Sequence, residues 1–183
     1  MVTETHSIRR SPFYRAWQFF RALTARPLEA TEWQSVSALL SPAQQNLFQQ
    51  MRRRDQRHSY QVMRMLAQRG QSDPDLLTAA LLHDVGKSRY PLILWEQPAV
   101  VLIRNFRPNT AVQWGNGTPR GWKRPFVVYQ RHAVWGAEMA AAAGCSPPVV
   151  ELIRHHQSKL DDVDIESERL KLLGLLQAAD SAN

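Results

Sequence analysis

Leu81-Leu82-His83-Asp84-Val85-Gly86-Lys87 sets two metal-ligating side chains side by side at the end of an apolar run, with a Gly and a Lys just beyond. Upstream, Asp73-Pro74 can cap and open a helix, and Leu76, Leu77, Ala80 and Leu81 lead along it to His83 and Asp84. Neighbouring helix residues point about 100° apart, so His83 and Asp84 can address one pocket only at a helix end. There the two oxygens of the Asp84 carboxylate can reach two cations at once.

Outward from this stretch, the other histidines fall into a series: His58 before it, His132, His155 and His156 after it, and only His6 outside. Asp180 closes the series. Val62, Met65 and Leu66 follow His58 at four, seven and eight residues, and Trp135, Gly136 and Met139 follow His132 at three, four and seven. Leu176 and Leu173 lie four and seven residues before Asp180. Helical spacing turns each polar group toward an apolar stripe. A polar group buried there needs a partner, and several converging groups can share a cation. On this reading His58, His83, Asp84 and Asp180 hold one ion, and Asp84, His132, His155 and His156 a second. The competing reading is a set of core polar groups that pair only with one another.

Helix punctuation recurs along the chain. Ser11-Pro12 can open a first helix that closes near Pro27. Thr31-Glu32 and Ser41-Pro42 offer two more starts, Asp55 precedes the segment carrying His58 that ends near Gly70, and Ser146-Pro147 follows Gly144. No period-two strand competes, and Asn116-Gly117 lacks alternating flanks. The chain reads as all-α. Between Pro91 and Pro125 an apolar stretch from Leu92 to Ile103 suggests a helix, followed by an irregular Gly- and Pro-rich excursion with Trp114 and Trp122 beside basic residues. This insert reads as an extra helix covering the bundle, or else as a lid, docking surface or interfacial element.

The 183 residues suit one domain with an appended arm, and 44% hydrophobic residues suffice for a core. A single Cys, Cys145, excludes an internal disulfide framework and fits a reducing compartment. Arg15 and Arg21 interrupt the first apolar stretch, and no uncharged run reaches the roughly 18 residues of a spanning helix. The expectation is a soluble cytoplasmic protein. The formal net charge is +7, concentrated in Arg52, Arg53, Arg54 and Arg57 and in an acid-free stretch from Gln97 to Ala137. Such a field favours phosphate-bearing substrates, nucleic acid or anionic lipid.

Two cations about 3.5–4 Å apart can hold a phosphate, activate water and stabilise the leaving oxygen. Asp84 and Lys87 are the candidate catalytic residues. Lys87, Arg89 and Arg131 are candidates for the substrate phosphate; Arg57 and Arg154 also precede a candidate ligand His. Mixed imidazole and carboxylate ligands suit Mn, Fe, Co, Ni or Zn.

The order His58, His83-Asp84, His132, His155-His156, Asp180 resembles the HD-domain superfamily of metal-dependent phosphohydrolases, from about Arg57 to Asn183. The resemblance implies an all-α bundle whose core ligands are His58, His83, Asp84 and Asp180. In binuclear members, residues like His132, His155 and His156 are added. Lys87 matches the Lys of the family's His-Asp-x-Gly-Lys motif, which faces the substrate phosphate, and Ala179-Asp180-Ser181-Ala182-Asn183 is similar to the last motif. The departures carry information. Gln157-Ser158-Lys159 follows the paired His where phosphodiesterases of cyclic di-GMP carry Gly-Tyr-Pro, and Arg54 stands where some of them hold a third metal with Glu. Both count against cyclic di-GMP hydrolysis and a trinuclear site.

The expectation is therefore a helical bundle with an N-terminal helical extension (residues 1–54), a metal-binding domain (55–183) and an insert at about 91–125. Its function would be hydrolysis of a nucleotide or small phosphate ester at a binuclear centre of divalent ions. The alternative is a low-turnover metal- or nucleotide-binding module that docks to an anionic partner or membrane through the basic insert.

Overall fold

Proline and its capping neighbour set three helix starts. In the computed structural model, which describes residues 26–93 and 96–183, Ser41, Asp73 and Ser146 each accept a backbone N–H three residues on and open a helix whose first residue is Pro. The N–H that Pro lacks has no helical partner at that position. Gly70 and Gly144 end the helices before the latter two, at φ +81° and +75°, a region that strains any side chain.

The helices are α1 Ala30–Leu39, α2 Pro42–Gln49, α3 Arg53–Gln68, α4 Pro74–Leu82, α5 Glu96–Phe106, α6 Pro108–Gly115, α7 Arg124–Ala142, α8 Pro147–His155 and α9 Ser167–Ala182. Short 3₁₀ turns cover Val85–Arg89, Gly121–Lys123 and Leu160–Asp162. The described residues contain no strand, and the fold is all-α. None of their helices is long and apolar enough to cross a membrane.

Every residue of α4 from Leu76 to Leu82 is buried, the mark of a central helix. α1, α3, α8 and α9 surround it. Leu66, Leu81, Leu152, Leu173 and Leu176 are fully buried in the shared core. Leu28, Val36, Leu40, Leu47, Phe48 and Met51 join that same cluster, so the described part of the first 54 residues packs into one core with the rest. The helix expected from Ser11-Pro12 lies outside the described residues.

Two local expectations are corrected. Asp55 does not precede its helix: α3 starts at Arg53, and Asp55 sits buried in the first turn, 3.4 Å from Arg54 Nε. An acid there faces the positive end of the helix dipole. The excursion after Ile103 is less irregular than expected. Arg107 breaks the helix at φ −140°, Pro108 opens α6, and apart from Arg107 only residues 116–123 remain outside α-helix. The insert is stapled to α7 by Glu96, which accepts from the Ile93 N–H and pairs with Arg124 at 2.7 Å.

The 3₁₀ turn after α4 lies directly on α7. A Cβ on Gly86 would overlap the His132 carbonyl oxygen and stand 2.6 Å from the Gly136 nitrogen; Gly136 offers no side chain in return. Both partners of that clash are backbone, which cannot swing away. Gly86→Ala is expected to lower stability in urea unfolding by about 3 kcal/mol or more. An unchanged midpoint would mean that the turn is not seated on α7 in this way.

Candidate metal centre

Five helices and a 3₁₀ turn bring the site together. α3 carries His58, α7 carries His132 and α9 carries Asp180. His83 and His156 each stand one residue past the end of a helix, α4 and α8, and Asp84 opens the 3₁₀ turn. At those positions the last free carbonyls of a helix need donors. His83 Nδ1 donates to the Ala80 carbonyl at 2.9 Å, and His156 Nδ1 to the Ile153 carbonyl at 2.7 Å. Within α7, His132 Nδ1 donates to the Tyr129 carbonyl at 2.8 Å. A carbonyl can only accept, so each neutral ring keeps its lone pair on Nε2.

All three Nε2 atoms point at Asp84. One carboxylate oxygen, Oδ1, lies 3.4 Å from His132 Nε2 and 3.9 Å from His156 Nε2. The other, Oδ2, lies 3.6 Å from His83 Nε2. Asp180 Oδ1 is 3.6 Å from His83 Nε2 and 2.8 Å from His58 Nε2. His58, His83 and Asp84 thus form one group with atoms close enough to share an ion, and Asp84, His132 and His156 form another. Asp84 belongs to both.

His83, Asp84, His132 and His156 are at most 4% exposed, and Nε2 of each of the three imidazoles is buried without a hydrogen-bond partner in the protein. One such orphan costs about 1–3 kcal/mol. Three of them around one carboxylate offset a sizeable share of the roughly 5–15 kcal/mol by which a domain is stable. A cation is the ligand that removes this penalty, because it accepts lone pairs from imidazole and carboxylate alike. The residues present therefore fit a divalent metal.

Electrostatics point the same way. Burial disfavours charge on Asp84, yet Lys87 and His83 outweigh it and hold its pKa well below the usual carboxylate range. Asp180, with His58 and His83 beside it, is also held far down despite burial. Burial lowers the pKa of His132, and burial with His83 and His132 nearby pushes His156 down to about 3. His83 goes up against its own burial, because Asp84 and Asp180 flank it. Lys87 Nζ is 2.5 Å from Asp84 Oδ2 and stays charged: burial disfavours the ammonium, but Asp84 and then Asp55 raise its pKa.

Several sequence candidates stand elsewhere. His155 is outside both groups; its Nδ1 is 3.5 Å from Ser158 Oγ, and it lines a surface pocket of about 370 Å³ with Cys145 and Glu151. The reason is angular. Val149, Leu152 and Ile153 define the buried stripe of α8, and His156 continues it three residues on, whereas His155 falls off it. Arg89 turns to Glu138, at 3.4 Å, and to the Trp135 ring, at 5.5 Å from its centroid. Arg131 and Arg154 are exposed. Arg57 pairs with Glu32 at 2.5 Å and donates to the carbonyls of Arg26 and Pro27. Two participants were not singled out from the sequence. Asp55, three residues before His58 on the same helix face, lends its charge to Lys87. Asn183 sets its amide 3.2 Å from His58 Nδ1; turned over, that amide can accept instead of donate.

The pKa of His156 has a consequence for stability. Folded, it titrates near 3 instead of 6.5, so between these values the unfolded chain binds more protons and acid favours unfolding. Asp84, depressed likewise, adds to the loss at lower pH, and His83, raised, opposes it. The melting temperature of the metal-free protein should fall from about pH 6.5 downward, with a shallower slope in His156→Asn. A flat profile for the unmodified chain would contradict the buried, neutral state of His156.

A family model described as HD domain matches residues 56–181, the span that contains His58, His83, Asp84, His132, His156 and Asp180. No curated protein and no solved structure gives a match. The matched span is the greater part of the sequence and holds both ligand groups: the chain belongs to the HD-domain family.

Proposed function

We propose that the protein is a metal-dependent phosphohydrolase that cleaves a nucleotide or another small phosphate ester at a binuclear centre. HD domains are generally metal-dependent hydrolases, which supplies the reaction class. The observation that carries the two-ion reading is the double address of Asp84: Oδ1 faces His132 and His156, and Oδ2 faces His83. A carboxylate so placed can bridge. His58, His83, Asp84 and Asp180 would hold one ion, and Asp84, His132 and His156 the other, with Mn, Fe, Co, Ni or Zn compatible with this donor set. Bound divalent ions supply Lewis-acid polarisation of a phosphoryl oxygen and an activated water.

The protein's own groups do the rest. His132 and His156 lie sealed beneath α7 and α8, while His58, Asp180 and Lys87 are partly exposed. The substrate therefore approaches from the side of α3, α9 and the 3₁₀ turn. Lys87 stands at that mouth, charged and held by Asp84, where it can neutralise a phosphate that enters. Of the three candidates for phosphate contact, Lys87 takes this role; Arg89 is turned to Glu138 and Trp135, and Arg131 is exposed.

The test is elemental analysis of the purified protein, joined to a phosphate-release screen across nucleotides in several divalent metals. Asp84→Asn should lose both metals and lower turnover by about 10³-fold or more. Lys87→Ala should keep the metals and lower kcat by about 10²-fold. His156→Ala should halve the metal content, whereas His155→Ala should leave it unchanged. Full activity in Asp84→Asn, or phosphate release that ignores chelator, would overturn the proposal.

A further inference from the structure

The insert has two faces, and only one of them packs. Val100 of α5 and Ala111 of α6 close on Phe126 of α7, with Ile103, Trp114 and Tyr129 against them. On the other side of α5, Val101, Leu102 and Phe106 are exposed, Leu102 to 56% and Phe106 to 76%. At about 100° per residue these three share an arc of about 140°, away from Val100 and Ile103. Val112 of α6 and Trp122 of the next turn are exposed as well. Of the eight large hydrophobic residues exposed among the described residues, six lie between Ile93 and Trp122. Scattered single exposures are ordinary in a soluble protein; this concentration on one insert is not.

Trp122 is held outward by packing. Its ring meets Trp114 edge-on at 4.8 Å, and Trp114 in turn meets Phe126 at 5.0 Å. The surrounding charge has one sign. From Gln97 to Ala137 there is no acid at all. Glu96, just before, is buried and taken by Arg124. Arg104, Arg107, Arg120 and Lys123 thus give the insert a positive surface with no acid of its own to offset it. Arg104 lies over the Tyr129 ring at 3.8 Å and Lys123 over Trp122 at 5.3 Å, so cations and aromatic rings are interleaved.

We infer that the α5–α6 insert docks on an anionic lipid bilayer. Aliphatic and aromatic side chains of α5, with Trp122, enter the interfacial layer, and the flanking Arg and Lys side chains meet headgroup phosphates. Two properties must be matched together, apolar exposure and positive charge. Nucleic acid matches the charge but leaves Val101, Leu102 and Val112 in water. A second copy matches the apolar face but brings like charges together across a two-fold axis. A bilayer carrying acidic lipid matches both: it accepts an apolar helix face a few ångströms deep, favours Trp at that depth and attracts each nearby cation. None of the residues around Asp84 takes part, so docking and hydrolysis are separately testable.

The experiment is co-sedimentation of the full chain with phosphatidylcholine vesicles, with and without phosphatidylserine. Binding is expected only with phosphatidylserine, and weaker at high salt. The double variants Leu102→Ser/Phe106→Ser and Arg107→Glu/Lys123→Glu should each lower the partition coefficient by about tenfold or more, while melting temperature and metal content stay unchanged. These side chains are exposed, so folding should tolerate the changes. The inference fails if the unmodified chain stays in the supernatant, or if binding survives Leu102→Ser/Phe106→Ser. It fails equally if the chain forms dimers that this variant abolishes and binds no vesicles, since a second copy would then cover the face.

Discussion

The position of one carboxylate constrains the rest of the molecule. Asp84 sits where the fully buried helix α4 gives way to a 3₁₀ turn, and its two oxygens face different histidines. Moving it by a fraction of a turn would break both groups. Three features prevent that movement. α4 is enclosed by helices on all sides. The turn that follows lies against α7 with no side chain between them at Gly86 and Gly136. Each inward imidazole is tied by its outer nitrogen to a carbonyl of its own helix. The ring orientation is therefore set by backbone, which makes it as rigid as the helices themselves.

Such a centre is costly until it is filled. Burial that strips water from His132 and His156 also keeps them neutral, and neutral imidazole is the form that ligates. The acids are ionised for the opposite reason: Lys87 and the neighbouring His groups outweigh their burial. Lys87 paired to Asp84 keeps one positive charge beside the bridge, and Asp55 anchors that charge from α3. The protonation states that a divalent ion requires are thus largely in place in the protein alone. Binding then adds stability in proportion to affinity for the folded chain.

Much of this could be read from residue spacing. His58, His132 and Asp180 lie on apolar helix faces, which local periodicity encodes, and His83-Asp84 stands at the helix end expected from the sequence, the helix closing at Leu82 and Gly86 falling in the 3₁₀ turn beyond. The pair His155-His156 was harder, because adjacency in sequence hides a divergence of about 100°. The stripe Val149, Leu152, Ile153 already selects His156, and following it would have left His155 aside. Pro108 obeys the same rule that opens α2, α4 and α8, so α6 was equally accessible to that reasoning. Asp55 and Asn183 were not. Asn183 reaches His58 because α3 and α9 lie side by side, and Asp55 acts on Lys87 because α3 lies near the 3₁₀ turn, tertiary facts without local signature.

α7 joins the two functional regions of the molecule. Its first turns, through Phe126 and Tyr129, carry the insert; its middle turns carry His132 and receive Gly86. Tyr129 belongs to both parts. Its ring lies under Arg104, and its carbonyl accepts from His132 Nδ1. The insert and a ligand histidine thus rest on neighbouring turns of one helix, less than one turn apart at Tyr129 and His132.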